Sequence, residues 1–436
     1  MHATMWAATA LVLRLLAGYQ ARARSKVRYA DLIDNRWLFV YGILCVGAAY
    51  ALGLPDVEMS LARVLISAVA APLLAAVTFT FVATVIGPWL LPRFVVTAAP
   101  LALSPVYAMC SLTARRSWNR SAARERVFLV ATSEDTSKLA GELESSTELP
   151  VSLVGTLDPS EALPRRVGHE PLVDAVREAK ATLVVLNEDA QSRPLIIEQV
   201  ASLHEAGIRV RPLTAFYEIW LGKLPVYELT RMHLMFDIGE VHTTVYGRMK
   251  RSLDVLVALV GIPVLLIASP FVALANLFGN RGPLLFSQER VGLNGQTFQI
   301  HKFRTMRPTS TGSGEWTQLN DPRITGIGRV LRATHVDELP QIWNILLGDI
   351  SLVGPRPEQV HYVRELSAKI PHYAMRHTIR PGLTGWAQVK YPYGANDADA
   401  LEKLEYELYY LGHQGPALDA RIVSRTMRSV FGRQGR

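Results

Sequence analysis

Asp337 and Glu338 stand side by side in the run Arg332-Ala-Thr-His-Val-Asp337-Glu338-Leu-Pro-Gln-Ile-Trp-Asn344. An apolar-periodic segment follows at once. Leu339, Ile342, Trp343, Leu346 and Leu347 share one helical face, Pro340 has the fixed φ of a first helical turn, and Gly348 marks the stop. The spacing predicts Asp337 at the N-cap, so both carboxylates would lie at the positive end of a helix dipole. There an Asp stays ionised and phosphate is attracted. Taken alone, such a pair is more often a cap beside a surface glutamate. The blocks around it argue for chemistry.

Upstream of the pair stand Arg281-Gly-Pro-Leu-Leu-Phe-Ser-Gln-Glu-Arg-Val-Gly292 and His301-Lys-Phe-Arg-Thr-Met-Arg307. Downstream come Gly348-Asp-Ile-Ser-Leu-Val-Gly-Pro-Arg356-Pro-Glu358 and Ile379-Arg-Pro-Gly-Leu-Thr-Gly-Trp-Ala-Gln-Val389. Several specific blocks in this order, from Lys250 to about Arg433, resemble the bacterial sugar transferase family. These are monotopic polyprenyl-phosphate hexose-1-phosphate transferases that begin exopolysaccharide, capsule and O-antigen assembly. The rest of the chain is similar to the family's long forms, which add membrane helices and a Rossmann-like domain.

The resemblance implies a reaction and roles. Asp337 would be the nucleophile and a Mg2+ ligand, attacking the sugar-bearing phosphate of a UDP-sugar with release of uridine monophosphate. Polyprenyl phosphate would then take up the sugar phosphate, with Glu338 assisting as base. Two anions are brought together, so cations are required. Lys302, Arg304, Arg329, Arg332 and Arg356 are the implied phosphate ligands, Arg356 fixed in direction between Pro355 and Pro357. Arg364 and Arg376 read as solvated surface arginines. The chain departs from the family pattern at His335-Val336, where Ser and Leu are usual, and at Glu407, where Asp is usual.

The elements that must position these groups divide the 436 residues into parts. The fold class expected is an α/β membrane protein: transmembrane helices over 1–115, a Rossmann-like parallel α/β domain over 126–213, a linker over 214–247, and a mainly α catalytic domain over 248–436. Apolar stretches at 37–54, 64–86 and 94–112 each approach the ~20 residues that span a bilayer. The run 5–16 contains Arg14 and is short for a span. Basic stretches at 22–28 and 115–126 both favour the cytoplasm although three spans separate them: either one apolar stretch does not cross, or 5–16 crosses as a fourth span, the count usual in the long forms the chain resembles, and the early basic loop is an exception. Apolar strands begin at Val127, Val151, Thr182 and Ile208, with helical runs between them, as in a doubly wound sheet. The first strand is followed by Ala131-Thr-Ser-Glu-Asp-Thr-Ser137 in place of Gly-x-Gly-x-x-Gly, which predicts no dinucleotide there.

In the stretch 252–278, Ser269-Pro270 interrupts an apolar run that would otherwise read as a spanning helix. The resemblance implies a re-entrant helix-turn-helix at these two residues, entering and leaving by the cytoplasmic leaflet. That places the catalytic domain on the cytoplasmic face of a bacterial inner membrane, and it leaves room for polysaccharide-assembly partners and a homo-oligomer.

Composition agrees. Hydrophobic residues make up 49% of the chain and are concentrated in segments. A net charge of +8 suits anionic headgroups or phosphorylated substrates, while no basic-aromatic module or zinc spacing points to nucleic acid. Cys45 and Cys110 both lie in apolar stretches, so no disulfide framework is expected. Two other function classes stay open at this level. Asp397-Ala-Asp399 could hold a metal in a glycosyltransferase that releases the nucleotide diphosphate, and a non-catalytic membrane scaffold would release neither nucleotide.

Overall fold

The computed structural model describes residues 2–23, 35–54, 61–86, 91–122, 125–145, 149, 151–164, 169–228, 244–279, 282–307, 321–391 and 396–431. The basic residues 24–28 and the linker residues 229–243 lie outside the described residues. The chain forms two compact units, Met1–Leu213 and Thr214–Arg436.

The first unit opens with a closed ring of four helices: α1 (His2–Ala23), α2 (Asn35–Ala51), α3 (Leu61–Ile86) and α4 (Arg93–Ala122), each packed on its neighbours, α1 also on α4. Leu13, Tyr41, Cys45, Phe79, Leu103 and Tyr107 fill the centre, and Ile66, Val77, Phe81 and Leu101 cover the outside. Apolar side chains on both faces suit a hydrocarbon solvent. Inside, the Tyr41 hydroxyl donates to the Val96 carbonyl at 3.1 Å, and Thr9 and Tyr107 share a hydrogen bond of 3.1 Å. The segments Val64–Thr84 and Arg93–Ala114 are long and apolar enough to cross a membrane, while Arg36–Tyr50 is shorter. The brief run at 5–16 belongs to a helix of 22 residues that supplies the fourth side of the ring.

Four parallel strands follow: β1 (Glu125–Val130), β2 (Val151–Leu157), β3 (Leu183–Leu186) and β4 (Arg209–Pro212), in the order β2-β1-β3-β4. The central strands are continuously buried runs, Val127 to Val130 and Leu183 to Leu186, paired in register Val127↔Leu183. Helices α5 (Ser133–Ser145), α6 (Pro171–Glu178) and α7 (Pro194–Glu205) connect them. Strand order reverses between β1 and β3, the place where such sheets open a crevice. Here Asp135 Oδ2 accepts from Thr132 Oγ1 at 2.8 Å and from Asn187 Nδ2 at 2.9 Å, so a carboxylate sits at the crevice where a pyrophosphate would need bare backbone.

The second unit is built on α8 (Thr244–Gly279), 36 residues long. Among the described residues its segment Tyr246–Gly279 is the third long enough and apolar enough to cross a membrane. The helix runs without interruption through Ser269 and Pro270, so the expected helix-turn-helix is absent from this structure. Two features account for the continuity. Ser269 Oγ donates to the Leu265 carbonyl one turn back at 2.7 Å, so its polar side chain is satisfied within the helix without a break. One face of the helix is also seated on the same body along both halves. Ala258 packs with Ile342, Ile345 and Ile350, and Val272 packs with Phe303 and Leu331. The other face presents Leu256, Val260, Ile267, Phe271, Leu274 and Phe278 outward.

Beyond α8, β5 (Leu285–Val291) and β6 (Thr297–Phe303) form an antiparallel hairpin, Leu285 opposite Phe303, which turns through Asn294 and Gly295 at positive φ. Next come α9 (Gly326–Ala333), α10 (Gln341–Leu347), α11 (Val360–Lys369), α12 (Asp397–Gly412) and α13 (Pro416–Phe431). Between them β7 (Ser351–Val353) and β8 (Gly382–Thr384) pair in parallel. Gly354 and Gly382 are required by this close approach, because a Cβ on either would collide with backbone of the facing segment. Leu404, Leu408, Leu411, Ile422, Trp386 and Tyr373 form the core under α12.

Candidate active site

The carboxylate pair sits in a tight turn rather than at a helix cap. His335 is in the left-handed region at φ 54°, which turns the chain out of α9, and Val336–Glu338 form a 3-10 turn. Leu339 and Pro340 stay right-handed and lead straight into α10, whose N-cap position is Pro340, without a side-chain cap. The expectation of Asp337 as N-cap is therefore corrected. The Leu339 N–H donates to the Val336 carbonyl at 3.2 Å, so the backbone is already turning before α10 begins. A seven-residue helix also has little dipole to offer, and the charge that matters comes from side chains. Gly348 ends α10 at φ 94°, as the spacing predicts.

Lys302, near the end of β6, places Nζ 2.7 Å from Glu338 Oε1, and Arg356, just past β7, places Nη2 3.3 Å from the same oxygen. Residues 36 and 18 positions from Glu338 are thus brought onto one carboxylate oxygen. Burial alone would push the Glu338 carboxyl up, but the charges of Lys302 and Arg356 outweigh it and hold the group far below the usual range. Asp337 is pushed the other way. Burial and the neighbouring Glu338 charge raise it, against Lys302, Arg332 and His335. The two adjacent carboxyls are driven apart in acidity, a common mark of a working site.

The remaining expected phosphate ligands divide. Arg332 is half-buried, with Nη2 3.8 Å from Met306 Sδ, and its charge acts on Asp337. Arg304 is buried against Gly282, whose φ of 132° and missing Cβ leave room for the guanidinium. Arg329 lies on the exposed side of α9. Arg364 is exposed as expected, but Arg376 is not. It is 4% exposed and forked onto both oxygens of Glu407 at 2.8 Å each, so the surface reading is corrected. One signal for this was available in the sequence. Glu407 falls on the same face of α12 as Ala400, Leu404, Leu408 and Leu411, and a carboxylate on an apolar stripe needs a buried cation.

Asp397 and Asp399 have structural duties. Asn396 and Asp399 form a reciprocal capping box at the start of α12, the Tyr391 hydroxyl donates to Asp399 at 2.7 Å, and Asp397 pairs with Lys369 at 2.8 Å.

With this geometry in hand, comparison with known proteins is decisive. Residues 245–433 match the bacterial sugar transferase family. A glucose-1-phosphate transferase named for UDP-glucose and undecaprenyl phosphate, from Caulobacter vibrioides, is 43% identical over 189 residues, 42% of this chain and 69% of its own length. The chain belongs to the bacterial sugar transferase family. The site therefore lies inside the part that defines family membership. An Aeromonas hydrophila UDP-N-acetylgalactosamine-undecaprenyl-phosphate N-acetylgalactosaminephosphotransferase is 40% identical over 43% of this chain, and the match spans 44% of that relative's length. A further glucose-1-phosphate transferase, from Xanthomonas campestris pv. campestris, is 28% identical over 335 residues, 71% of this chain and 67% of its own length. The family member described here is thus similar to that protein well beyond its catalytic unit.

Among the described residues no three His, Cys, Asp or Glu side chains gather as a metal cluster. Magnesium does not require one. It is commonly held by one or two carboxylates together with substrate phosphates and water, and Asp337, with Glu338 engaged by two cations, is the carboxylate that fits.

Proposed function

We propose that this protein is a phosphoglycosyl transferase that moves hexose-1-phosphate from a UDP-sugar to undecaprenyl phosphate, the first membrane step of exopolysaccharide, capsule or O-antigen synthesis. The observation that carries the reading is the carboxylate pair itself, Glu338 bound by Lys302 and Arg356 while Asp337 carries no such direct ion pair among the described residues. The substrates named for the relatives, with glucose and N-acetylgalactosamine both represented, support this donor and acceptor class.

In the first half-reaction the Asp337 carboxylate attacks the phosphorus that bears the sugar. A carboxylate oxygen–phosphorus bond forms, the bond to the bridging oxygen breaks, and uridine monophosphate leaves with that electron pair. In the second half, a phosphate oxygen of the polyprenyl carrier attacks the same phosphorus and Asp337 departs as a carboxylate. Lys302 and Arg356, the two cations that hold Glu338, are the groups assigned to the incoming phosphates. Turning toward phosphate removes the charges that hold the Glu338 carboxyl down, which raises its basicity for the second half. A magnesium ion bound at Asp337 would spread the diphosphate charge.

The half-exposed α8 supports a membrane seat: its outward apolar face meets lipid while its other face stays on the catalytic body. The cytoplasmic side is part of the proposal, as is the four-span N-terminal bundle. The alternative use of Asp397 and Asp399 gains nothing from their capping and ion-pair duties.

The test is turnover of the full chain in membranes with polyprenyl phosphate and a panel of UDP-sugars, with and without Asp337→Asn. We expect uridine monophosphate release that Asp337→Asn abolishes, and a sugar-phosphate adduct mapped to Asp337 when nucleotide sugar is given alone. Uridine diphosphate as product, or an adduct on another residue, refutes the reading.

A further inference from the structure

Four consecutive carbonyls around Arg356 are each held by a separate donor. Pro355 O accepts from the Gly382 N–H at 2.8 Å, and Arg356 O from Arg376 Nη2 at 2.9 Å. Pro357 O accepts from Arg290 Nη1 at 3.0 Å, and Glu358 O from the Val291 N–H at 3.0 Å. The donors come from β8, from the turn Tyr373–Thr378, and from β5. With Pro355 and Pro357 fixing φ on either side, the backbone that carries Arg356 has little freedom left.

Two of these donors are guanidinium groups that make no hydrogen bond to the carboxylate pair among the described residues, although the Glu338 charge is felt at Arg290. Arg376 spends its remaining donors on Glu407 and on the Tyr373 hydroxyl at 2.9 Å. Arg290 donates from Nη2 to Gln288 Oε1 at 2.7 Å and lies 3.7 Å from Glu358 Oε2, while its Nε is buried with no hydrogen-bond partner among the described residues. Burial, with the Arg356 charge beside it and against the pull of Glu358, pushes Arg290 down to about 10. Buried ion pairs rarely stabilise a fold better than apolar packing of the same volume, so their use here suggests a positional role.

We infer that Arg376 and Arg290 are positioning residues, which clamp the backbone of Arg356 from two sides and so aim its guanidinium at Glu338 and at the donor's phosphate. The inference rests on the proposed function only for the phosphate. Glu407, where the family usually has Asp, then has a role of its own, since it anchors the fork of Arg376 through both oxygens.

A double-mutant cycle on the full-length protein in membranes tests this, with UDP-glucose and UDP-N-acetylgalactosamine as donors and thermal unfolding as a fold check. Arg376→Lys, which keeps charge and loses the fork, is expected to lower kcat by roughly 10–100-fold, as a misplaced catalytic group does. In an Arg356→Ala background the same substitution should cost less than about threefold, because the residue it positions is gone. Arg290→Lys carries the same expectation and serves if Arg376→Lys does not fold. Equal losses in both backgrounds overturn the clamp, leaving the two arginines as ordinary structural groups. Full turnover by Arg356→Ala overturns it too. The broader reading fails separately, through an active Asp337→Asn.

Discussion

Gly261 of the apolar helix lies directly against Ile342 of α10: a Cβ built on the glycine would stand 2.7 Å from the isoleucine Cδ1. Ile342 comes four residues after Glu338, and Ala258, Ile345 and Ile350 complete the contact. The long apolar helix is therefore seated on the helix that continues from the carboxylate turn. Gly261→Leu should overpack this contact, at a cost of about 1–3 kcal/mol. We expect a lower unfolding temperature and reduced turnover, with both partly restored by Ile342→Ala in the same chain. Normal turnover in the single variant would mean that the seat does not govern the site.

Glu338→Gln removes the charge that Lys302 and Arg356 share while leaving Asp337 in place. Turnover is expected to fall by ~10²–10⁴, the usual worth of a positioned base. The adduct on Asp337 should still form with nucleotide sugar alone and should persist because its discharge is slow. Mass spectrometry over time after adding polyprenyl phosphate measures this. An adduct that discharges at the normal rate removes Glu338 from the second half-reaction.

His377 provides a stability signal separate from catalysis. Burial, reinforced by the adjacent Arg376 charge, pushes its imidazole down to about 4 from an ordinary 6.5. The unfolded chain then binds the proton more tightly than the folded one. The contribution is fully present above pH 6.5 and is lost as pH falls from 6.5 toward 4, by on the order of 3 kcal/mol at most. Thermal unfolding against pH should show this loss in the natural protein and a flatter profile in His377→Gln. Parallel curves would mean that His377 is not the group responsible.

Local pattern was enough for much of this protein. The apolar stretches, the four strand runs and the Gly348 stop could be read directly, because burial imposes a period on neighbouring residues and a left-handed terminus needs a particular one. The missing glycines after β1 could be read for the same reason. Asp337 and Glu338 stand out in the sequence through the company of their blocks, and their catalytic roles belong to the proposal. What could not be read were relations between distant residues. Lys302 and Arg356 meet on one oxygen of Glu338 only because β6 and the segment after β7 fold to either side of the turn. Arg376 looked like a surface cation until Glu407, 31 positions away, was brought beneath it. Ser269-Pro270 marks a place where a helix can break, but whether it breaks depends on what holds its two halves, and here Ile342 and Ile345 hold one while Phe303 and Leu331 hold the other. Residue type and spacing determined which groups were available and which segments were apolar. Which charges were neutralised, and by whom, was decided by tertiary packing, since electrostatic energy depends on distance and burial rather than on order along the chain.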